Sequence, residues 1–399
     1  MSAISLYVHI PFCAARCPYC DFATAPATSK LRARYLGALE TEIRREATAL
    51  DRPSVRTLYV GGGTPSLLEP HEIASLGAAI RDSFDLALKE ATVEANPATL
   101  DRARLEAWRA LGITRVSLGA QSLGAEGLRA LGRTHQAEDT AVAVDAIRSL
   151  RLAVSLDLIF GWPGQTADAW RADLEAAVGL SPDHLSCYPL ELTLEPEEAV
   201  ANWPGAGWES VRRWRADAAA AQADDEGVAR LYRIAERTLQ AAGYRHYEIA
   251  NWARPGRECA HNLVYWRNGE WLGVGTGAHS HLDGVRSRRP AALVAYLAAI
   301  EAGAPRLADP NTDEESDTAM LALRLADGLD LAAYARRFGE IAARRTRDAL
   351  AQPVELGLVR LQGDLARLTP RGRLLASEVF VRLLRDDDVA TSTRALAAT

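Results

Sequence analysis

The stretch Tyr7-Val8-His9-Ile10-Pro11-Phe12-Cys13-Ala14-Ala15-Arg16-Cys17-Pro18-Tyr19-Cys20 decides the fold of this chain. A β-strand pattern runs directly into three cysteines spaced CxxxCxxC, and cysteines so close together in a cytoplasmic chain are more often metal ligands than disulfide partners. Iron–sulfur clusters usually have four cysteine ligands, so three leave one iron open to an outside ligand. A zinc knuckle would need a fourth Cys or His at close spacing. The spacing therefore predicts a [4Fe–4S] cluster on Cys13, Cys17 and Cys20.

Short β-branched runs alternate with longer amphipathic segments through the first half of the chain, which is typical of repeated βα units around a parallel sheet. Six units make an incomplete barrel, so we expect an α/β fold with a partial (β/α)6 barrel of the TIM type. The predicted strands are Leu6 to Ile10, Thr57 to Val60, Ala91 to Glu94, Arg115 to Leu118, Val154 to Ile159 and His184 to Tyr188. The predicted helices cover residues 29–50, 70–83, 99–111, 136–150 and 166–179.

Glycines and polar residues follow the carboxyl ends of these strands, the face that builds the active site in β/α barrels. Gly61-Gly62-Gly63-Thr64-Pro65 follows the second strand, and its glycines would let the backbone approach a ligand closely. In radical enzymes the amine and carboxylate of S-adenosylmethionine (SAM) occupy the open iron, and an electron from the cluster cleaves the sulfonium. The polar groups suited to the ribose and the methionine carboxylate are Glu94, Gln121, Arg133 and Asp157.

Taken together, the motifs resemble the oxygen-independent coproporphyrinogen III oxidase family and its HemW relatives, within the radical SAM superfamily. The resemblance runs from Tyr7 to about residue 380 and is carried by YVHIPFC, GGGTP, EANP, SLGAQS, GRTH and DLIFGWPGQT. It implies a [4Fe–4S] cluster and SAM as cofactors. The matching cofactor-site positions are Tyr7, Tyr19, Gly62, Gly63, Thr64, Glu94, Gln121, Arg133 and Asp157.

Two departures separate the branches of that family. The decarboxylating oxidases look like CxxxCxxCxC, with a further cysteine two positions after the third. In this chain Phe22 stands at that position, two residues after Cys20, and only twelve residues precede Cys13. The resemblance therefore favours the haem-chaperone branch, in which haem is bound and passed to haem proteins. The alternatives are a coproporphyrinogen III dehydrogenase and a radical SAM methyltransferase or cyclopropane-forming enzyme, so whether the chain is an enzyme stays open.

A second pointer is His261-Asn262-Leu263-Val264-Tyr265-Trp266, which matches the HNxxYW motif associated with haem in that branch. Imidazole is a good axial ligand of haem iron, and aromatic rings can pack on a porphyrin. The resemblance thus gives His261, Asn262, Tyr265 and Trp266 as haem-binding residues, although a histidine among aromatics is more often a hydrogen-bonded core residue. Cys259 is a competing thiolate ligand, or a small buried apolar residue.

The glycine-rich segment Gly273 to Ser280 resembles the family's segment that folds back to line the cofactor site. On that basis Ala278 and His279 are expected to touch the adenosyl group. The plainer interpretation of the segment is a glycine turn.

Beyond residue 305 the pattern changes to helix, helix, hairpin and helix, which predicts a small winged-helix-like domain with its turn at Gly363-Asp364. The expected divisions are 1–200 for the barrel, 201–304 for a family-specific segment, 305–388 for the C-terminal domain and 389–399 for a disordered tail. Residues 208–240 are charged and helical, which predicts a solvated face. Residues 330–399 hold twelve arginines against nine acids, too weak an excess to predict nucleic-acid binding.

The composition limits the remaining function classes. A net charge of -6 gives no general attraction to nucleic acid or anionic lipid. The sequence shows no export signal and no apolar run long enough to span a membrane. We therefore expect a cytoplasmic monomer or dimer with at most peripheral membrane contact. Haem and haem-accepting proteins, including respiratory membrane proteins, are the partners that the resemblance implies.

Overall fold

A computed structural model describes residues 3–192, 202–203 and 208–384. The strands are β1 Ile4–Ile10, β2 Phe12–Cys13, β3 Ala25–Pro26, β4 Ser54–Gly62, β5 Asp85–Ala95, β6 Arg115–Gln121, β7 Ala153–Phe160, β8 His184–Pro189, β9 Arg245–Glu248, β10 Asn251–Ala253, β11 Trp271–Val274, β12 His279–Leu282, β13 Val285–Arg288, β14 Leu307–Ala308, β15 Leu329–Asp330, β16 Val359–Gln362 and β17 Leu365–Leu368.

The helices are α1 Ser29–Ala49, α2 Pro70–Ser83, α3 Arg102–Leu111, α4 Ala125–Ala130, α5 Ala137–Ser149, α6 Ala167–Gly179, α7 Trp208–Ala221, α8 Asp225–Ala241, α9 Ala260–Trp266, α10 Leu293–Glu301, α11 Glu314–Arg324, α12 Leu331–Phe338, α13 Glu340–Ala349, α14 Ala351–Glu355, α15 Pro370–Leu374 and α16 Ala376–Phe380. Five of the helices, α1, α2, α3, α5 and α6, begin and end within three residues of the predicted bounds. Helix α3 starts later than predicted because Pro97–Thr99 forms a separate 3-10 turn and the Asp101 side chain caps the helix by accepting from Arg104 N. None of the described helices is long and apolar enough to cross a membrane.

All six predicted strands are present and lie side by side in chain order, in parallel. The structure adds a seventh parallel strand, since β11 pairs with the free edge of β1 and sets Leu6 opposite Leu272. Antiparallel strands extend the sheet at both edges, giving the order β14-β13-β12-β11-β1-β4-β5-β6-β7-β8-β10-β9. The α/β partial barrel is confirmed, and it is wider than the six predicted units.

The barrel strands alternate between an apolar outer face and a polar inner face. Leu58, Val93, Leu118 and Leu156 are buried on the outside, in one hydrophobic core with the surrounding helices. The residues between them face inward, where TIM barrels usually stack bulky aliphatic side chains. Polar side chains on the inner face leave room for a ligand instead. They include Tyr59, Thr92, Glu94, Arg115, Ser117, Ser155, Asp157, His184 and Ser186.

The segment between β9 and α9 closes the amino-terminal end of the barrel. Arg115, the first residue of β6, donates to the carbonyls of Arg257 and Glu258, at 2.9 and 3.3 Å. His184, the first residue of β8, bonds the Tyr247 hydroxyl at 2.8 Å. The barrel cavity therefore has a floor at this end and opens at the carboxyl end.

The C-terminal domain has its own hydrophobic core, built from residues between Ala319 and Leu383. The predicted hairpin is confirmed: Gln362 pairs with Leu365, and Gly363 at the turn has a φ of +60°. A short strand that the sequence pattern did not predict, β15, pairs with the other side of β17. Helices and a three-stranded sheet of this kind fit the predicted winged-helix-like domain.

The prediction of a solvated face over residues 208–240 is wrong for one face of α8. Leu231, Tyr232, Ala235 and Leu239 are buried, because α8 packs on α6 and on the outside of the barrel. In α7 the side chain of Arg215 is also buried, at 1% exposure. The predicted disordered tail, 389–399, lies outside the described residues.

Candidate functional site

The three cysteines lie at the open end of the barrel, in the loop that follows β1. Cys13 ends the short strand β2, and Cys17 and Cys20 close a tight turn in which Cys20 N donates to Cys17 O at 3.1 Å. All three thiols line one cavity of about 470 Å³ that runs from this loop down to the floor of the barrel. The sequence prediction that the cysteines meet polar residues from several strands is therefore matched by the geometry.

Side chains from two other loops, the one after β4 and the one after α4, contact the cysteine sulfurs directly. The Thr64 hydroxyl donates to Cys13 Sγ at 3.4 Å, and Arg133 Nη1 donates to Cys17 Sγ at 3.3 Å. Arg133 is fixed in turn by a bond from Nη2 to the carbonyl of Gly119 at 2.9 Å. Donors of this kind stabilise the thiolate form of cysteine, which is the form that binds iron.

Arg215 supports the same loop from below and was not predicted. Its guanidinium donates to Pro18 O at 2.8 Å, to Cys20 O at 3.2 Å and to Asp21 Oδ1 at 2.6 Å. No sequence pattern indicates this role, because Arg215 stands in a charged helical run beside Arg212 and Arg213. Only the fold shows that one of these arginines points into the protein.

The three cysteines are the residues that would hold the predicted cluster, each binding a different iron of the cubane. Among the described residues, no group of three His, Cys, Asp or Glu side chains lies close enough together to hold a single metal ion.

Burial alone would keep two of these thiols protonated. Burial raises the pKa of Cys13 to about 11 and that of Cys20 to about 12. The hydrogen bond from Thr64 to Cys13 and one from the Phe22 backbone to Cys20 lower these pKa values, but by less than burial raises them. Bound iron supplies the positive charge that deprotonates such thiols. Cluster binding at this loop should therefore release protons.

The glycines of the Gly61-Gly62-Gly63 turn are needed for close packing, in addition to the approach to a ligand that the sequence predicts. A Cβ on Gly62, whose φ is +114°, would lie 2.5 Å from the His9 ring, and one on Gly63 would lie 2.7 Å from the Pro11 carbonyl. The glycines are thus required by close packing of the turn on β1 and the cysteine loop. Both still line the cavity, so their backbone remains available to a ligand.

Two carboxylates lie on the inner wall below the cysteines. Glu94 accepts from Gly62 N and from the Tyr59 hydroxyl, both at 2.8 Å, and Asp157 accepts from Ser117 Oγ at 3.0 Å. Burial raises the pKa of Glu94 to about 7 and that of Asp157 to about 6, although these hydrogen bonds act in the other direction. Near neutral pH each of the two carboxyl groups is therefore partly protonated, so it can accept a hydrogen bond when ionised and donate one when protonated.

Gln121 contributes a strained residue to the same wall. Its φ is +65°, a left-handed conformation that residues other than glycine rarely adopt, and the pairing of β6 with β7 shifts register between Leu118 and Gln121. Strain of this kind tends to persist at ligand sites, where the surrounding structure holds it. The side chain lines the cavity, as the sequence predicted.

The remaining predicted SAM residues divide into two groups. Tyr19 lines the cavity, whereas Tyr7, Ala278 and His279 are not among its lining residues. The Tyr7 hydroxyl lies 3.0 Å from His9 Nδ1, Ala278 is buried in the turn after β11, and His279 is exposed on β12. Ala278 and His279 therefore do not line the cavity in this structure, and their contact with the adenosyl group stays a prediction.

The HNLVYW motif forms helix α9 at the closed end of the barrel, away from the cysteines. His261 is completely buried, with Nδ1 2.8 Å from the Thr57 hydroxyl and Nε2 2.8 Å from the Tyr265 hydroxyl. Burial lowers its pKa to about 3, so the ring is neutral. With both nitrogens engaged, His261 has none to offer haem iron in this conformation. The geometry is that of a hydrogen-bonded core histidine.

The other motif residues face different ways. Asn262 and Cys259 line the floor of the cavity, but the Cys259 thiol lies 3.4 Å from Glu90 Oε1, and burial raises its pKa to about 12. Trp266 lies outside the cavity, under the Arg324 guanidinium at 4.4 Å from its ring centre. The structure therefore brings Asn262 and Cys259, but not His261, Tyr265 or Trp266, to the cavity surface.

A buried ion pair that the sequence did not predict sits at the floor. Arg115 Nη2 lies 2.9 Å from Glu90 Oε2, and both side chains are at most 10% exposed. Arg115 Nε and Nη1 have no hydrogen-bond partner among the residues that the structure describes. Arg115 was predicted only as a strand residue. Its charge interrupts an otherwise apolar strand pattern, and that pattern does not indicate the ion pair.

Comparisons with known sequences agree with this organisation. The sequence model described as the radical SAM superfamily matches residues 7–177, and that of the HemN C-terminal domain matches residues 310–375. A protein of Mycobacterium tuberculosis named heme chaperone HemW is 39% identical over 388 residues, which cover 95% of this chain and 94% of the relative. The protein of the same name from Bacillus subtilis is 32% identical over 385 residues, covering 94% and 98%.

A solved structure is similar over nearly the same length. Coproporphyrinogen III oxidase (HemN) from Escherichia coli, described as a radical SAM enzyme, superposes with a TM-score of 0.80 and covers 96% of this chain and 90% of its own. Its sequence is 24% identical. At this level of sequence identity, the similarity establishes the fold of the chain but does not show which reaction, if any, it catalyses.

Proposed function

The chain belongs to the HemW family of the radical SAM superfamily, and on this premise we propose that it is a haem chaperone, which binds haem and transfers it to haem proteins. The observation that carries the proposal is the match, over almost the whole of both chains, to proteins named heme chaperone. Phe22 supports it, since it stands where the resemblance to the decarboxylating oxidases would require a fourth cysteine.

The cofactors of this superfamily are a [4Fe–4S] cluster and SAM, and the residues present fit both. Cys13, Cys17 and Cys20 would hold the cluster, with Thr64 and Arg133 donating to the sulfurs. When bound, the cluster supplies an electron that can cleave the sulfonium of SAM. Glu94, Gln121 and Asp157 would bind the polar groups of SAM along the cavity wall, and the remaining SAM assignments, Tyr7, Tyr19, Gly62, Gly63, Ala278 and His279, stand as part of this proposal.

For haem, we propose that the HNLVYW helix acts by shaping the floor of the cavity. Asn262 and Cys259 are its contributions to that surface, and His261 fixes the helix to Thr57 of β4. Thr57, which is bonded to His261, lies about five strand residues before Gly62 at the open end of the barrel. Five strand residues correspond to a distance of roughly 16 Å. Iron ligation by His261 would require both of its hydrogen bonds to break and the helix to move.

The partners proposed are haem and haem-accepting proteins, including respiratory membrane proteins reached through peripheral contact. Nucleic acid is not proposed as a partner, because the arginine excess after residue 330 is weak. A cytoplasmic location and a monomeric or dimeric state belong to the same proposal. The divisions near residues 200 and 304 are proposed as the limits of the barrel and of the HNLVYW segment.

An anaerobic experiment tests the function directly. The cluster is reconstituted, and the protein is then assayed in parallel for stoichiometric haem uptake, for haem transfer to an apo-haem protein, and for conversion of coproporphyrinogen III. We expect uptake and transfer without decarboxylation. Decarboxylated product, or no saturable haem uptake, would overturn the proposal in favour of the dehydrogenase or another radical enzyme.

A further inference from the structure

A second concave site lies between the barrel and the C-terminal domain, outside the cavity that the cysteines line. It is a cleft of about 250 Å³ formed by β9, the end of α11 and the β16–β17 hairpin. Four arginines line it, against one carboxylate, that of Glu248. We call it the arginine cleft; its cations are Arg324, Arg360, Arg367 and Arg373.

The carboxylates near the arginine cleft neutralise only part of this charge. Glu248 Oε2 lies 3.7 Å from Arg324 Nη2, which is too far for a hydrogen bond, and Glu236 pairs with Arg373 from outside the cleft. Glu248 Oε1 is already used by the backbone N–H of Ala250 at 2.9 Å. At least two of the four guanidinium groups are thus left without a carboxylate partner.

Arg360 and Arg367 carry that excess. Among the residues that the structure describes, none forms an ion pair or hydrogen bond with the Arg360 side chain, and Arg367 bonds only the Asp327 carbonyl, through Nε at 3.1 Å. The Nε atoms of Arg324 and Arg373 are buried and likewise lack a partner within the described part of the chain. Guanidinium groups brought together repel one another unless an anion lies between them.

From this geometry we propose that the arginine cleft binds a phosphate-type oxyanion. Arginine presents a planar fork of donors that matches phosphate in two-point contacts, and several forks converging on one small space suit a group with three or four oxygens. Such a group belongs to free phosphates and phosphate esters and also to the headgroups of anionic lipids. The arginine cleft shares no lining residue with the cavity of the cysteine loop.

Calorimetric titration of the full chain with its cluster in place tests the proposal, using inorganic phosphate and inorganic pyrophosphate as probes. Flotation with vesicles of phosphatidylglycerol and phosphatidylcholine, compared with phosphatidylcholine alone, tests the lipid source. The cleft variant is Arg360→Gln with Arg367→Gln, two exposed positions. The matched control is Arg336→Gln with Arg344→Gln, which removes the same charge from exposed positions outside the cleft.

We expect saturable binding of pyrophosphate or of anionic vesicles that weakens by about tenfold or more in the cleft variant and is unchanged in the control. Pyrophosphate binding would identify a free phosphate as the ligand, and vesicle binding alone would identify a headgroup. If neither probe saturates, or if both variants weaken binding equally, the proposal is wrong.

Discussion

The guanidinium of Arg215 lies 2.6 Å from the carboxylate of Asp21, although 194 residues separate the two in the chain. The same guanidinium bonds the carbonyls of Pro18 and Cys20 and so holds the turn that presents two of the three cysteines. Replacing Arg215 with Gln should weaken cluster binding by about 10–100-fold, the usual effect of losing a residue that orients metal ligands. Iron and sulfide content after reconstitution, with the visible absorbance of the cluster, measures this.

Arg213→Gln, an exposed position on the same helix, is the control for the loss of charge. Thermal unfolding of the cluster-free proteins shows whether the Arg215 variant is folded. Equal cluster content in the two variants would mean that the loop holds its shape without Arg215.

A pair of substitutions at His261 separates a structural role from iron ligation. His261→Ala leaves Thr57 and Tyr265 without their partner and opens a cavity, so we expect a loss of about 2–4 kcal/mol in the free energy of unfolding. His261→Gln keeps a polar side chain that can bond both hydroxyls, and it should retain most of that stability. The Gln variant should also bind haem as the unaltered protein does, measured by absorbance titration. A folded Gln variant that no longer binds haem would instead identify His261 as the ligand.

The pH dependence of stability should carry a contribution from Glu94. Burial raises the pKa of this carboxyl from its ordinary 4.5 to about 7, so the folded protein keeps a proton that the unfolded chain releases. This contribution is therefore greatest at low pH and is lost as the pH rises from about 4.5 to 7. Glu94→Gln should raise the free energy of unfolding at pH 8 by on the order of 1 kcal/mol, after allowance for solvent screening.

Chemical denaturation of the cluster-free protein at pH 5 and pH 8 measures the effect of Glu94→Gln, and the variant should show the smaller difference between the two pH values. SAM binding should weaken in the same variant if Glu94 contacts the cofactor. A variant less stable than the unaltered protein at pH 8 would contradict the assignment of the raised pKa.

Trp266 and Arg324 couple the HNLVYW helix to the C-terminal domain. The guanidinium lies 4.4 Å from the indole centre, and a partly buried cation–π pair contributes about 1 kcal/mol. A double-mutant cycle with Trp266→Leu and Arg324→Gln should therefore give a coupling energy of about that size in chemical denaturation. A coupling energy near zero would mean that the helix and the domain pack independently of this contact.

Much of the barrel could be predicted from sequence because its strands are long and regular. The six strands around the cavity, the cysteine loop and the Gly363 hairpin are all found where the pattern indicated them. The strand β11 could not be predicted, because its four residues before a glycine turn are too few to show the alternating hydrophobic pattern of a strand. Its position beside β1 is set by tertiary packing.

The site was predictable where its residues follow strand ends and not where they come from elsewhere. Thr64, Glu94 and Gln121 stand at or near such ends and line the cavity, and Asp157 lines it from within β7. Arg215 lies on a helix whose other arginines are exposed, and no feature of the sequence distinguishes it. His261 shows the opposite case, because a motif fixes its identity but only the fold shows that both of its nitrogens are occupied.

The parallel pairing of β1 with β11 also sets the order in which the protein can mature. A ribosome that adds about 5–20 residues per second takes on the order of 10–50 s to travel from Cys20 to Trp271. During that interval the strand before the cysteine loop has an unpaired edge, and Arg215 reaches the loop only part of the way through. The loop therefore reaches the form that the structure shows only after Arg215 and β11 have both been synthesised.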